Sequence, residues 1–299
     1  MKMGKWIIAF AVVLTMLTAY MLLDTFVIPE AYVENVSTSE QQVQIVAEKE
    51  PEQDVITENS ENTEDSDSSE IQLTTYRIND TNVYVADIVF DSAESIKTAF
   101  AQDTYGRKIT DKTSDMAQQN NAVLAINGDY YGARESGYVI RNGVLYRNTP
   151  SDEDVLCIYS DGSMEIVDPS KVSAEELLEA GAWQVFSFGP GLLEDGEYLV
   201  DQNDEVGRAM ASNPRTAIGM IDNNHYVFVV SDGRTQESEG LSLYELAEFM
   251  ESLGVRTAYN LDGGGSSTMV YEGGVVNTPA NGKHSSERSV SDIVYIESE

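Results

Sequence analysis

The tract from about residue 34 to residue 70 sets the first limit on what this chain can fold into. It is dominated by Glu, Asp, Ser, Gln, Asn and Thr, is poor in aromatic side chains and carries a single lysine, Lys49. Such a segment cannot bury enough apolar surface to offset the entropy of ordering it. It is expected to be a disordered, self-repelling acidic linker. Anything with a sizeable core must therefore come from residues 71–299, a stretch long enough to fold without disulfides or metal staples.

Ahead of the tract, Lys2 and Lys5 precede an almost uninterrupted apolar run over residues 6–23. That length is near the minimum for a helix crossing a bilayer, and the two lysines hold its start in the cytoplasm. Residues 1–33 are thus expected to be a cytoplasmic tip and uncleaved transmembrane signal anchor, with the rest of the chain extracytoplasmic. A cleaved signal peptide is the alternative, although no small-residue cleavage pattern is evident after the run. Cys157 is the only cysteine, so an intrachain disulfide and a cysteine-based zinc site are both excluded. An exported chain without disulfides suits a bacterial cell membrane, spanned once. The formal net charge of −33 repels phosphate backbones and argues against nucleic acid as a partner.

From residue 71 onward, short runs of strand character recur at 82–90, 122–126, 137–140, 155–159, 217–221, 226–231 and 290–296. Turn pairs such as Asn142-Gly143 and Asp161-Gly162 separate them. Two helices are expected at 173–180 and 242–253. Each opens on a serine with a glutamate three places on, Ser173 with Glu176 and Ser242 with Glu245. The second carries Leu243, Leu246, Ala247, Met250 and Leu253 at helical spacing and stops at Gly254. Many strands and few helices predict an α+β domain with a mixed or mainly antiparallel sheet.

Three clusters carry residues suited to chemistry. Asn260, Asp262, Gly263, Gly264, Gly265, Ser266 and Ser267 follow one another with only Leu261 between. Consecutive glycines serve a helix or strand interior poorly, so a tight loop is expected, with amides and hydroxyls available to phosphate or sugar oxygens and Asp262 at its lip. A glycine-rich hairpin capped by Asp262 is the plainer reading of the same residues. Asn127 and Gly128 lead to Asp129, which is flanked by Tyr130 and Tyr131. Asn-Gly reads equally well as a simple turn, while a carboxylate between aromatic rings suits a sugar site. Arg215 follows Pro214 at a strand entrance, placed either for a surface ion pair or for a two-pronged grip on phosphate. Weaker signals are Asp232, with Arg234 two places on, and the pair Glu287 and Arg288. His225 and His284 lie far from any nucleophile-elbow serine, which disfavours a Ser-His-Asp hydrolase.

Taken together, the segments INGDYYG, FSFGPGLLEDGE, NPRTAIG, GLSLYELAEFMESLGVRTAYNLDGGGSSTMV and ERSVSD resemble the phosphodiester glycosidase family. The resemblance runs over residues 71–299 with the motifs in family order. It implies an enzyme that cleaves a sugar, N-acetylglucosamine for one, from a sugar-1-phosphodiester, in a cell-envelope or exopolysaccharide glycan. Asp262, Asp129 and Arg215 are then the catalytic candidates. Asn127, Asn260, Gly263, Gly264, Gly265, Ser266, Ser267, Asp232, Glu287 and Arg288 are the candidates for substrate contact. The final motif lacks the proline that many relatives carry after the arginine, which leaves the role of Arg288 open. No cofactor is required by the sequence; a divalent cation on Asp129 or another carboxylate is compatible with it, but no ligand spacing demands one. A noncatalytic glycan-binding or envelope-assembly protein using the same pocket is the alternative.

Overall fold

The computed structural model describes residues 14–16, 18, 30–31, 70–202, 212–281 and 285–298. Almost all of the expected anchor and linker lies outside these residues, as does His284. Among the described residues, no helix is long and apolar enough to cross a membrane.

Three larger sheets form the body, and every strand pair in them is antiparallel. The first has seven strands, in the order Glu197–Tyr198, Gly191–Glu194, Thr257–Asn260, Arg215–Asp222, His225–Ser231, Thr81–Val89 and Glu70–Ile78. The second has five, in the order Gly274–Val275, Met269–Tyr271, Ala122–Asn127, Asp292–Glu297 and Lys97–Phe100. The third also has five, in the order Met164–Val167, Val155–Tyr159, Ala182–Phe186, Val139–Arg141 and Val144–Arg147.

Period-two alternation decides which side chains meet. Along Thr81–Val89, Ala86 and Ile88 join a central core with Leu124 and Ile126 of the second sheet and Leu156 and Ile158 of the third. Val83 and Val85 point the other way, into a layer closed by the helix Leu243–Ser252. That helix begins with the expected capping box and contributes buried Leu243, Leu246, Ala247 and Met250. Burying one such leucine is worth about 1.5–3 kcal/mol. The helices Thr113–Gln119 and Ala174–Glu179 cover the outer faces of the second and third sheets in the same manner.

Each of the seven expected strands exists, within a few residues of its expected ends. Asn142 and Gly143 both have positive φ and close the hairpin between Val139–Arg141 and Val144–Arg147. Sequence reading did not register Lys97–Phe100, the edge strand Glu70–Ile78 or the helix Thr113–Gln119. The last reads TSDMAQQ and buries only Thr113, Met116 and Ala117, too few apolar positions to show a helical period.

Candidate active site

Strand ends from all three sheets converge at one place. Asn260 ends a strand beside the start of Arg215–Asp222, with Ala217 opposite Asn260. In the second sheet Asn127 ends a strand beside the start of Asp292–Glu297, with Ile293 opposite Asn127. Arg141 and Ser187 arrive from the third sheet.

Two buried side chains lock these pieces together. The Asn127 amide donates to the Asp262 carbonyl at 2.7 Å, and its Oδ1 accepts from the Thr216 hydroxyl at 2.9 Å and the Thr268 amide at 3.2 Å. Asn127 is fully buried, so it positions the Asp262 loop from behind instead of contacting substrate. Arg141, 1% exposed, lies 3.0 Å from Asp129 Oδ2 and 2.9 Å from Asp292 Oδ2. Asp129 also accepts from the amides of Tyr131 at 3.0 Å and Ser187 at 2.9 Å. That corrects the expectation for Asp129: its carboxylate borders the site but is consumed in holding the second and third sheets together. Gly128 is required for space, because a Cβ there would stand 2.4 Å from Asp292 Oδ1.

In front of this lock lies a cavity of about 380 Å3, lined by Arg134, Arg215, Arg234 and Arg288 together with Glu153, Phe188, Asn213, Asn260, Asp262, Gly263 and Gly264. Four of the ten arginines of an acidic protein therefore converge here. Among the described residues, no acidic side chain forms an ion pair with Arg134, Arg234 or Arg288. Asn213 Oδ1 accepts from Arg234 Nε at 2.9 Å and Nη2 at 2.7 Å, which aims that guanidinium. Arg134 lies 5.0 Å over the Phe188 ring. Arg215 is buried and donates from Nε to the Leu241 carbonyl at 2.8 Å, so it forms the rear wall.

The glycine loop works differently from an amide nest. Gly264 N donates to the Pro214 carbonyl at 2.8 Å, and the Ser266 and Ser267 amides turn back onto Gly263 and Gly264 at 3.3 Å. What the glycines supply is room. Gly264 has φ 65°, and a Cβ on it would come within 3.1 Å of the Arg234 guanidinium; one on Gly265 would come within 2.7 Å of that of Arg288. Ser266 and Ser267 are buried behind the loop instead of facing the cavity. Asn260 does face it: its Nδ2 is held by the Gly189 carbonyl at 2.8 Å, and its Oδ1 has no partner among the described residues.

Asp262 lies at the centre. Burial raises its carboxyl above the usual range, while the Ser266 hydroxyl and the Arg288 and Arg134 charges pull it back, and Asp129 pushes it up again. Two other expectations fail on position. Asp232 is buried with its carboxylate accepting from the Thr278 amide at 2.7 Å and the Tyr84 hydroxyl at 3.3 Å. Glu287 accepts from the Ser114 amide at 2.9 Å and hydroxyl at 2.6 Å, satisfying the start of the helix Thr113–Gln119. Among the described residues, no group of three or more His, Cys, Asp or Glu is arranged to hold a metal ion. Arg134, Arg141 and Asp292 were missed. Asp292 lay inside the recognised ERSVSD segment, whereas Arg134 and Arg141 carried no local signal, since only the fold brings them to the site.

The sequence model described as phosphodiester glycosidase matches residues 120–297. The chain belongs to the phosphodiester glycosidase family. Among its relatives, an uncharacterized SPbeta prophage-derived protein, YomE of Bacillus subtilis (strain 168), is 30% identical over 200 residues, covering 64% of this chain and 30% of that protein. The Mus musculus N-acetylglucosamine-1-phosphodiester alpha-N-acetylglucosaminidase is 31% identical over 183 residues, covering 56% of this chain and 35% of that enzyme. The chain thus spans about a third of the length of those relatives. The zebrafish catalytic domain of the same name, auto-inhibited by its pro-peptide, shares the fold with a TM-score of 0.63 at 22% identity, covering 80% of this chain and 86% of that one. A putative exported protein from Burkholderia pseudomallei gives 0.57 at 15% identity, covering 73% of this chain and 74% of that one.

Proposed function

We propose that the protein hydrolyses a sugar-1-phosphodiester at the glycosyl carbon, releasing the sugar and a phosphate monoester. The observation that carries this is a carboxyl, Asp262, set among arginines of which Arg134, Arg234 and Arg288 form no ion pair among the described residues. As the bond between the anomeric carbon and oxygen breaks, its electron pair leaves with the phosphate, which goes from one negative charge towards two. Arginines already in place stabilise that gain more than they stabilise the bound diester, which is the condition for lowering a barrier. A phosphate monoester is a weak base, so protonation by a general acid matters less than for an ordinary glycoside. Asp262 supplies the carboxylate that either takes a proton from the attacking water or attacks the carbon itself.

N-acetylglucosamine is the sugar favoured by the names of the animal relatives, and a cell-envelope or exopolysaccharide glycan is the proposed context. The apolar run over residues 6–23 supports placing the domain outside a membrane; protease treatment of intact cells should then digest the domain of the membrane-bound full-length chain, and recovery solely as a processed soluble form would refute the anchor. The enzymatic test is release of reducing sugar from N-acetylglucosamine-1-phosphodiesters and a panel of other sugar-1-phosphodiesters. Tight binding of these compounds with no turnover of any of them would establish the noncatalytic reading instead.

A further inference from the structure

A second cavity, of about 340 Å3, adjoins the first and shares Asp262 and Arg288 with it. The two differ in chemistry. The first holds four arginines against two acids, Glu153 and Asp262. In the second, Lys108 and Arg288 stand against Asp129 and Asp262, and the rest of the lining includes the hydroxyls of Thr110, Ser289 and Ser291 and the ring of Tyr130. The adjacent tyrosines of the INGDYYG segment also part company. Tyr131 is 1% exposed and packs in a ring cluster with Phe100 and Tyr105, whereas Tyr130 is 44% exposed and lines this cavity. A phenol ring offers an apolar face with a polar tip, which suits a pyranose with its C–H face and rim of hydroxyls. An uncharged sugar gains little from excess guanidinium charge, and a phosphate gains little from a charge-balanced cavity.

Building on the glycosidase reading, we propose that Asp262 and Arg288 divide the cleft into two subsites. The Tyr130 cavity takes the glycosyl unit, and the arginine cavity takes the phosphate with the group attached to it. The scissile bond then lies across the shared wall, with the anomeric carbon beside Asp262 and the leaving oxygen beside Arg288.

The two halves of the substrate can be tested separately by equilibrium binding to the full-length protein, with inorganic phosphate and with N-acetylglucosamine, glucose and galactose as probes. Phosphate and the preferred monosaccharide should bind together, each changing the other's Kd by less than about threefold. Tyr130→Ala should weaken the monosaccharide by about tenfold or more and leave phosphate nearly unchanged, and Arg234→Gln should do the reverse. Tyr130→Phe, which keeps the ring, should retain sugar binding, and an unchanged melting temperature certifies each variant as folded. Mutual exclusion of sugar and phosphate, or equal loss of both ligands in Tyr130→Ala, would overturn the division. So would phosphate binding with no affinity for any of the three sugars, an outcome that leaves the glycosidase reading standing. Failure of the wild type to bind any probe would remove both.

Discussion

Two clusters of charge sit side by side in this molecule and are built on opposite terms. In the Arg141 cluster one guanidinium is enclosed by two carboxyl groups, all buried, with backbone amides completing Asp129. In the Asp262 cleft three guanidinium groups lack an ion partner among the described residues and line open space. The first arrangement gives rigidity, because nothing in it is available to a ligand. The second stores electrostatic attraction for something that arrives from outside, and the closed cluster is what holds the open one in register.

Removing the cation of the closed cluster is the most severe way to break this contrast. Arg141→Met strands the Asp129 carboxylate beside Asp292 in the core and should cost about 3–5 kcal/mol, read as a large fall in denaturant midpoint. By contrast, Arg234→Gln should shift stability by no more than about 0.5 kcal/mol, because Arg234 is exposed and has no ion partner among the described residues. A comparable loss of stability in the two variants would show that the clusters are not built differently.

Activity should divide the other way. Asp262→Asn should leave the fold intact and lower kcat by about 30-fold to 1,000-fold, and Arg288→Gln should lower kcat/KM by a similar factor, on the order of 2–4 kcal/mol each. The double variant should lose less than the product of the two if both groups act on the same bond. Near-normal turnover of Asp262→Asn would take Asp262 out of the chemistry.

The pH dependence of stability gives a subtler comparison. Burial lifts the Asp292 carboxyl to about 8, Arg141 opposing and Asp129 reinforcing the shift. One of its oxygens, Oδ1, is buried without a hydrogen-bond partner among the described residues, which favours the uncharged acid. The folded state therefore binds this proton more tightly than the unfolded chain, where the group returns to the ordinary carboxylate range. Its contribution to stability is full in acid and is lost as pH rises towards about 8. Asp292→Asn should flatten the decline in melting temperature between about pH 4 and pH 8. An unaltered slope would mean that Asp292 is ionised throughout.

The smallest expected change is in the acid limb of kcat/KM. Asp262 must be ionised to act as base or nucleophile, and its raised pKa places that limb above the range of an ordinary aspartate. Arg288 lowers this pKa, so Arg288→Gln should move the limb to higher pH by a fraction of a unit. A shift to lower pH would contradict the arrangement.

Much of the fold was legible because its causes are local. Both capping boxes, at Ser173 and Ser242, and the Asn142-Gly143 turn depend only on neighbours in sequence. The site was legible where a motif concentrates it, as in Asp262 with Gly263 and Gly264. It was illegible where roles depend on what lies opposite. Nothing in the order Asn127-Gly128-Asp129 says that the amide ties down a loop 135 residues away, or that the carboxylate answers Arg141. Glu287 and Arg288 are neighbours, yet one secures a helix start and the other lines both cavities.

The position of Asp292–Glu297 has a consequence for how the molecule is made. This strand lies between Ala122–Asn127 and Lys97–Phe100, both formed from chain that leaves the ribosome much earlier. Until it arrives, those two strands have no common partner, and the edge of Ala122–Asn127 stands open to pairing with another molecule. Closing contacts of such long sequence separation is slow. The same strand brings Asp292 to Arg141, so burial of the sheet edge and completion of the Arg141 cluster happen in one event. A nascent chain halted just short of it lacks the staple at the middle of a sheet, and the cleft has no settled form before this strand has emerged.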